Sequence, residues 1–200
     1  MAQFGSNYSP GQLIISAGSG GYANTNYYID DGNSINLTNF GLGIANGLIQ
    51  NGAPTNSIIY TNNDTNGLLG HITNGFNVTG YFSWGSHSQL GDNYATDSNV
   101  DWSGNSSWYI LDTVESYNGR RYEVNFENFI GWYSAGAFGG TNYSNTPVGV
   151  VSYVDEPLAF ATVGATYFEE WESEKIFSIC AWSSVNTPFI QVIGDPFVRK

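Results

Sequence analysis

One histidine and two possible nucleophiles are the side chains of this chain that could carry out hydrolysis. His87 follows the apolar run 78–83 in a Gly-Ser-His turn, Ser134 lies among small residues, and Cys180 lies in the apolar run 176–182. A histidine activates a serine or a cysteine when the two side chains are within hydrogen-bond distance. These residues support the hypothesis of a hydrolase of the cysteine or serine peptidase type. The alternative for Cys180 is a buried, unreactive thiol, which is the common role of a cysteine among apolar residues.

Acidic side chains in polar segments support a second hypothesis. Asp92, Asp97 and Asp101 lie in a stretch rich in Asp, Asn and Ser, and Asp30 and Asp31 are adjacent. Carboxylate oxygens are the ligands that calcium prefers, so either group predicts a calcium-stabilised structural domain. The spacing differs from that of an EF-hand loop. The alternative is that these carboxylates are only solvated and that the chain has no cofactor.

Three other charged groups have structural explanations that we favour over catalysis or substrate binding. Arg120 and Arg121 lie among nearby glutamates in the sequence, which predicts charge pairing. Asp155 and Glu156 precede a proline, which predicts a turn. Asp195 lies in a Gly-Asp-Pro sequence, where its side chain is expected to cap the turn by accepting backbone N–H bonds.

Alternating strands and helices must position these residues. Short β-branched or aromatic runs predict strands over 12–16, 57–60, 78–83, 148–152 and, as a buried closing strand, 189–194. Apolar periodicity predicts a helix over 37–49, a short helix through 68–72 and two helices between 163 and 182. The segment 108–114 fits either a helix or a strand.

This order of elements predicts an α/β fold with a mostly parallel sheet flanked by helices. Polar stretches rich in Asn, Gly and Ser predict long loops, including a surface loop over 93–105. Ligands of such sheets bind at the carboxyl ends of the strands. We therefore expect the segment 83–92 to contribute to any site.

Length and charge limit the classes of function. The chain has 200 residues, which predicts a single domain over 1–200. Its 17 acidic and five basic residues give a net charge of −12, which disfavours nucleic-acid binding. We expect no membrane insertion, because no run of 18 or more apolar residues occurs. A single cysteine excludes an internal disulfide and disfavours a thiolate zinc site.

Three segments resemble a known family. Gly80–His87, Pro147–Ser152 and the closing stretch Val163–Phe197 are similar to the C-terminal half of gingipain-like and caspase-like cysteine peptidase domains. The resemblance covers residues 57–197, whereas residues 1–56 add little to it. It implies the caspase-like three-layer sandwich.

The same resemblance implies that the catalytic dyad is missing. Enzymes of this family place a histidine in a turn after one strand and a cysteine after the next major strand. Gly85 takes the histidine position here, and His87 is displaced by two residues. Ser134 or Ala135 stands in the segment 132–138, which corresponds to the nucleophile loop.

The leading hypothesis is therefore a noncatalytic caspase-like domain that is used in binding or assembly, with a protein or a glycan as partner. The closing Gly-Asp-Pro segment is similar to that of exported bacterial proteins, and only 11% of the residues are charged. Both features indicate an extracellular or cell-envelope location, for which this chain would be a mature or excised piece. The hydrolase and the calcium-stabilised domain are the alternatives.

Overall fold

The computed structural model describes residues 26–31, 40–62, 74–84, 101–103, 106, 109–114, 117–120, 133, 146–156 and 164–200. The predicted strand at 12–16 and the predicted helix at 68–72 lie outside these residues. In chain order the elements are β1 (Asn26–Asp31), α1 (Phe40–Gln50), a 3-10 turn (Thr55–Ser57), β2 (Ile58–Asn62), β3 (Asn74–Phe76), β4 (Val78–Trp84), β5 (Asp101–Ser103), β6 (Ile110–Val114), β7 (Gly149–Tyr153), α2 (Gly164–Glu172), α3 (Phe177–Ser183) and β8 (Ile190–Gly194).

Six of the strands form one mixed sheet in the order β2-β1-β4-β6-β7-β8. The first five of these strands are parallel, and β8 is antiparallel to β7. The predicted α/β class and the mostly parallel sheet are confirmed. The parallel strands define two edges of the sheet, which we call the amino edge and the carboxyl edge after the strand ends that lie there.

Two predictions about the strands were wrong. The segment 93–105 was expected to be a surface loop, but β5 pairs with β3 in a two-stranded parallel sheet, and Trp102 is buried. Indole burial explains this difference, because a large ring offsets the cost of ordering a polar stretch. The closing strand was expected to be buried, whereas β8 is half-buried because it is the last strand of the sheet. The ambiguous segment 108–114 contains the strand β6.

The sheet buries a different core on each face. Alternate residues of one strand point to opposite faces, so Phe82 and Tyr81 belong to different clusters. The larger cluster packs the side of Phe82 against the buried stripes of α1, α2 and α3. The smaller cluster packs the side of Tyr81 against Trp102 and Tyr109. All three described helices therefore lie on one face, which we call the helical face.

The handedness of the chain explains why the last two helices lie on that face. A crossover between parallel strands is right-handed, so crossovers that move in opposite directions along a sheet lie on opposite faces. The connection β1-α1-β2 moves one way and covers the helical face. The later connections, from β2 to β4, from β4 to β6 and from β6 to β7, move the other way, and their described residues Trp102 and Tyr133 pack with the smaller cluster on the opposite face. The segment after β7 returns to the helical face, where α2 contacts both α1 and α3.

The start of α3 approaches the sheet closely at the amino edge. A methyl group on Gly149, the first residue of β7, would come within 2.2 Å of the Phe177 ring. The ring also lies 3.0 Å from the position of a side chain on Gly194, at the end of β8. These two glycines allow Phe177 to insert between the helix and the sheet, which fixes α3 at this edge.

Candidate functional site

The strand order reverses between β1 and β4, and ligands of open α/β sheets bind beside the carboxyl ends of strands at such a reversal. β1 ends at Asp31 and β4 ends at Trp84. His87 follows three residues after the end of β4 and lies outside the described residues, as do Asp92 and Asp97. The described part of this edge therefore includes the ends of β2, β1, β4, β6 and β7 and the turn that follows β6.

β6 carries a buried carboxyl group on the helical face. Asp112 is fully buried, between Phe82 of β4 and Val151 of β7. The Tyr153 hydroxyl donates a hydrogen bond to its Oδ1 at 2.9 Å. Burial, with a further contribution from Asp112, raises the pKa of Tyr167 on α2. The sequence analysis did not single out Asp112, although an acid inside the apolar run Ile110–Val114 was the available signal.

A tightly held turn, Tyr117–Arg120, follows β6 at the carboxyl edge. The Asn118 amide is buried and donates to the Thr113 carbonyl oxygen at 2.9 Å and to Thr113 Oγ1 at 2.8 Å. Its Oδ1 accepts a bond from the Tyr153 backbone N–H at 2.8 Å. The Gly119 N–H donates to the Tyr153 carbonyl oxygen at 2.8 Å. These bonds fasten the turn to the ends of both β6 and β7.

The same turn holds an aromatic ring and a cation at the surface. Tyr117 has a φ of 64°, a left-handed conformation that costs a bulky residue about 1–2 kcal/mol. The Arg120 guanidinium carbon lies 3.9 Å from the centre of the Tyr117 ring. Arg120 Nε donates to the Val154 carbonyl oxygen at 2.7 Å, and a guanidinium nitrogen lies 3.9 Å from Asp155 Oδ1. The strained backbone thus presents an ordered Tyr-Arg pair.

These contacts bear on the predicted charge pairs and turns. The described ion pair of Arg120 is with Asp155 across the β7 end, and the predicted glutamate partners and Arg121 lie outside the described residues. Asp155 Oδ1 accepts the Glu156 N–H at 2.9 Å at a bend that follows β7, and the helix start expected after Pro157 lies outside the described residues. Asp195 Oδ1 accepts the Phe197 N–H at 3.0 Å, which confirms the predicted cap.

Cys180 lies in a different part of the molecule. It is fully buried on α3, one turn after Phe177, and therefore close to the amino edge. Burial raises the pKa of its thiol to about 12. The thiol contacts the carbonyl oxygens of Ile176 at 3.4 Å and Lys175 at 3.6 Å. A protonated thiol without solvent contact is a poor nucleophile.

Ser134 lies outside the described residues, but its neighbour Tyr133 is described. The Tyr133 hydroxyl donates to the Ile193 carbonyl oxygen at 3.0 Å, near the end of β8 and hence at the amino edge. Tyr133 packs against the smaller cluster, on the face opposite the helices. Cys180 and the Tyr133 hydroxyl therefore lie near the amino edge, whereas β4, the described strand that precedes His87 in the chain, ends at the carboxyl edge.

The calcium hypothesis is not decided by these residues. Asp101 is the first residue of β5, and Asp30 and Asp31 end β1. In the described ranges, no group of three or more His, Cys, Asp or Glu side chains could hold a metal ion. Asp92 and Asp97 lie outside those ranges, so calcium binding by the acidic segment stays a prediction.

Known proteins add no further assignment, since the chain matches no protein-family model, no curated protein and no solved structure. Among the helices that the structure describes, none is both long enough and apolar enough to cross a membrane.

Proposed function

We propose that this chain is a noncatalytic domain of caspase-like organisation that acts in binding or assembly. The observation that carries this proposal is the position of Cys180. It is the only cysteine of the chain, and it is buried with a pKa of about 12 near the amino edge. A peptidase of the resembled family needs its thiol exposed, next to the histidine that activates it.

The strand order also supports the proposal that the catalytic dyad is missing. In the resembled enzymes the cysteine follows the next major strand after the strand that leads to the histidine. β6 is the neighbour of β4 that follows it in the chain, and the connection from β6 to β7, residues 115–148, contains no cysteine. That connection includes the segment 132–138, which we aligned with the nucleophile loop. A dyad built on the adjacent strands therefore lacks its thiol.

The Tyr117–Arg120 turn is the binding surface that we propose. Tyrosine and arginine are enriched among the residues that dominate protein–protein binding energy. Asn118 and Gly119 fix the backbone of the turn, and the ring contact and the Arg120 Nε bond restrain the two side chains, so less side-chain freedom is lost when a partner binds. These features favour a protein partner over a glycan. The low share of charged residues, 11% of the sequence, supports the proposed extracellular or cell-envelope location.

Activity-based labelling tests the noncatalytic part of the proposal. The folded chain is treated with a fluorophosphonate and, separately, with an acyloxymethyl ketone, and the intact mass is measured. We expect no labelling of the wild-type chain, and the same result for His87→Ala and Cys180→Ala. Stoichiometric labelling that is lost in His87→Ala would establish the hydrolase instead and would identify the nucleophile by peptide mapping.

A glycan array tests the choice of partner class. The fluorescently labelled wild-type chain and the variants Tyr117→Ala and Arg120→Ala are applied to the same array. We expect no specific binding, because we propose a protein partner. Binding of the wild type to one class of glycans that both variants lose would replace the protein with a glycan as partner of this turn.

A further inference from the structure

Asn-Gly dipeptides are the places in a chain where an asparagine loses its side-chain amide most readily. Five of them occur here, and they begin at Asn46, Asn51, Asn66, Asn74 and Asn118. The backbone nitrogen of the glycine attacks the side-chain carbonyl carbon of the asparagine, and glycine allows this approach because it has no Cβ. By this local chemistry the five are equivalent. The structure describes the surroundings of Asn46, Asn51 and Asn118, and it holds these three differently.

Asn118, in the turn proposed above as the binding surface, is protected from this reaction. Its side chain is buried and makes three hydrogen bonds. The attacking group is also engaged, because the Gly119 N–H donates to the Tyr153 carbonyl oxygen at 2.8 Å. A methyl group on Gly119 would come within 3.0 Å of the Tyr153 backbone, so Gly119 packs directly against the end of β7. Reaction at Asn118 therefore requires the turn to detach from both strands.

Asn46 is exposed, but it lies in the interior of α1. The backbone N–H of an interior helical residue, here Gly47, is held by the hydrogen bonds of the helix. Gly47 is also buried, and a methyl group on it would overlap the Glu169 side chain of α2. The attacking nitrogen is thus bonded within its own helix and lies against the next one. Asn46 therefore reacts only when α1 unfolds.

Asn51 and Gly52 lie at the end of α1, and both are exposed. Gly52 has a φ of 99°, the left-handed conformation that glycine commonly adopts just after a helix. Its N–H donates to the Ile49 carbonyl oxygen at 3.1 Å, and the Asn51 side-chain amide donates to the Gly47 carbonyl oxygen at 3.0 Å. The described bonds of the two reacting groups thus belong to the last turn of a helix, where helices fray. The fold therefore leaves this dipeptide open to the reaction.

We propose that Asn51 is a modification site of the folded chain, where spontaneous deamidation replaces the amide with a carboxyl group. The Gly52 nitrogen loses its proton to solvent and bonds to Cγ of Asn51. The Cγ–Nδ2 bond breaks, and the amide nitrogen takes up a proton and leaves as ammonia. Water then opens the cyclic imide, at Cγ to give aspartate or at the backbone carbonyl carbon to give isoaspartate. Water is the co-reactant, and no oxidation or reduction takes place.

The product changes both the charge and the bonding at the end of α1. The new carboxylate has no N–H to donate to the Gly47 carbonyl oxygen, and it lies at the C-terminal end of a helix, which disfavours anions. The last turn of α1 is therefore loosened, and each event adds one negative charge to the chain. This segment is distinct from the Tyr117–Arg120 turn, so the modification holds or fails independently of the binding proposed there.

Peptide mapping of the full chain tests this proposal. The folded chain and a chain unfolded in urea are incubated at the same mildly alkaline pH, and each Asn-Gly peptide is followed by mass spectrometry as it gains about 1 Da. In the folded chain Asn51 should react at least about tenfold faster than Asn46 and Asn118, because a protected group reacts in proportion to its open population. In urea the three should react at similar rates. Asn51→Gln is the matched control, because the longer side chain forms its cyclic imide much more slowly.

The outcomes divide clearly. Selective reaction of Asn51 in the folded chain, with an acidic product on ion exchange that Asn51→Gln does not form, supports the proposal. An Asn51 that stays intact in the folded chain overturns it, since the end of α1 is then protected. Equal rates at Asn51 and Asn118 in the folded chain also overturn it, because the fold would not select the site. The comparison of folded and urea samples uses the wild type, so it decides the question even if Asn51→Gln does not fold.

Discussion

Removal of the Asn118 side chain should cost more stability than any other single amide substitution in the described turns. The side chain makes three hydrogen bonds, two to Thr113 at 2.9 and 2.8 Å and one from the Tyr153 N–H at 2.8 Å. Asn118→Ala removes all three and leaves buried backbone groups without these partners. A hydrogen bond contributes about 1 kcal/mol net and a buried group left unpaired costs about 1–3 kcal/mol, so we expect a loss of about 2–4 kcal/mol.

Chemical and thermal denaturation measure this loss. For a chain of this length, each kcal/mol lowers the midpoint temperature by about 2–4 °C, so Asn118→Ala should melt about 5–15 °C below the wild type. Asn51→Ala is the matched control, because Asn51 is exposed and its side chain makes one bond, to the Gly47 carbonyl oxygen at 3.0 Å. We expect that variant to lie within about 1 kcal/mol of the wild type.

A second variant separates the donor from the acceptor. Asn118→Asp keeps the oxygen that accepts the Tyr153 N–H, but it replaces the donor to Thr113 with an anionic oxygen. It should therefore be as unstable as Asn118→Ala at neutral pH. Its deficit relative to the wild type at the same pH should shrink in acid, when the new carboxyl group takes up a proton and can donate again. If Asn118→Ala is as stable as Asn51→Ala, these bonds do not hold the turn and the reasoning is wrong.

Three other measurements follow from the packing and the pKa values. Gly149→Ala should destabilise the fold by about 1–3 kcal/mol, because the new methyl group would overlap the Phe177 ring. Gly43→Ala on α1, with open space around it, should stabilise the fold by up to about 1 kcal/mol. Equal melting temperatures of the two variants would contradict the close approach of α3. Burial raises the pKa of Cys180 to about 12 and raises the pKa values of buried tyrosines, so these groups deprotonate more readily in the unfolded chain. The free energy of unfolding should therefore fall as the pH rises from about 9. Tyrosinate absorbance that reaches its full value before the circular dichroism changes would refute this expectation. If the acidic segment holds calcium, excess EGTA should lower the midpoint temperature and added calcium should restore it, whereas an unchanged midpoint would count against the ion.

The candidate site was predicted only in part. The segment 83–92 was expected to contribute to a site because it follows a predicted strand, and ligands of a parallel sheet bind at the carboxyl ends of the strands. The Tyr117–Arg120 turn was missed as a unit, because its contacts are with Thr113 on β6 and with Tyr153 and Val154 at the end of β7, up to 41 positions apart. Sequence spacing predicts contacts within one element and gives little information about contacts between strands.

Local patterns in the sequence determined the type of most elements. β-branched runs predicted the strands β2, β4 and β7, and 3.6-residue periodicity predicted α1, α2 and α3, because these preferences act over a few neighbouring residues. The apolar environment of Cys180 predicted its burial for the same reason.

Only the tertiary structure decided the strand order, the antiparallel direction of β8, the pairing of β5 with β3 and the face that each helix covers. These features depend on contacts between residues that are far apart in the chain. The same local pattern is compatible with several sheet orders, and right-handed crossovers together with burial of both faces select among them. The separation of Cys180 from the carboxyl edge follows from that selection, and no short motif could have revealed it.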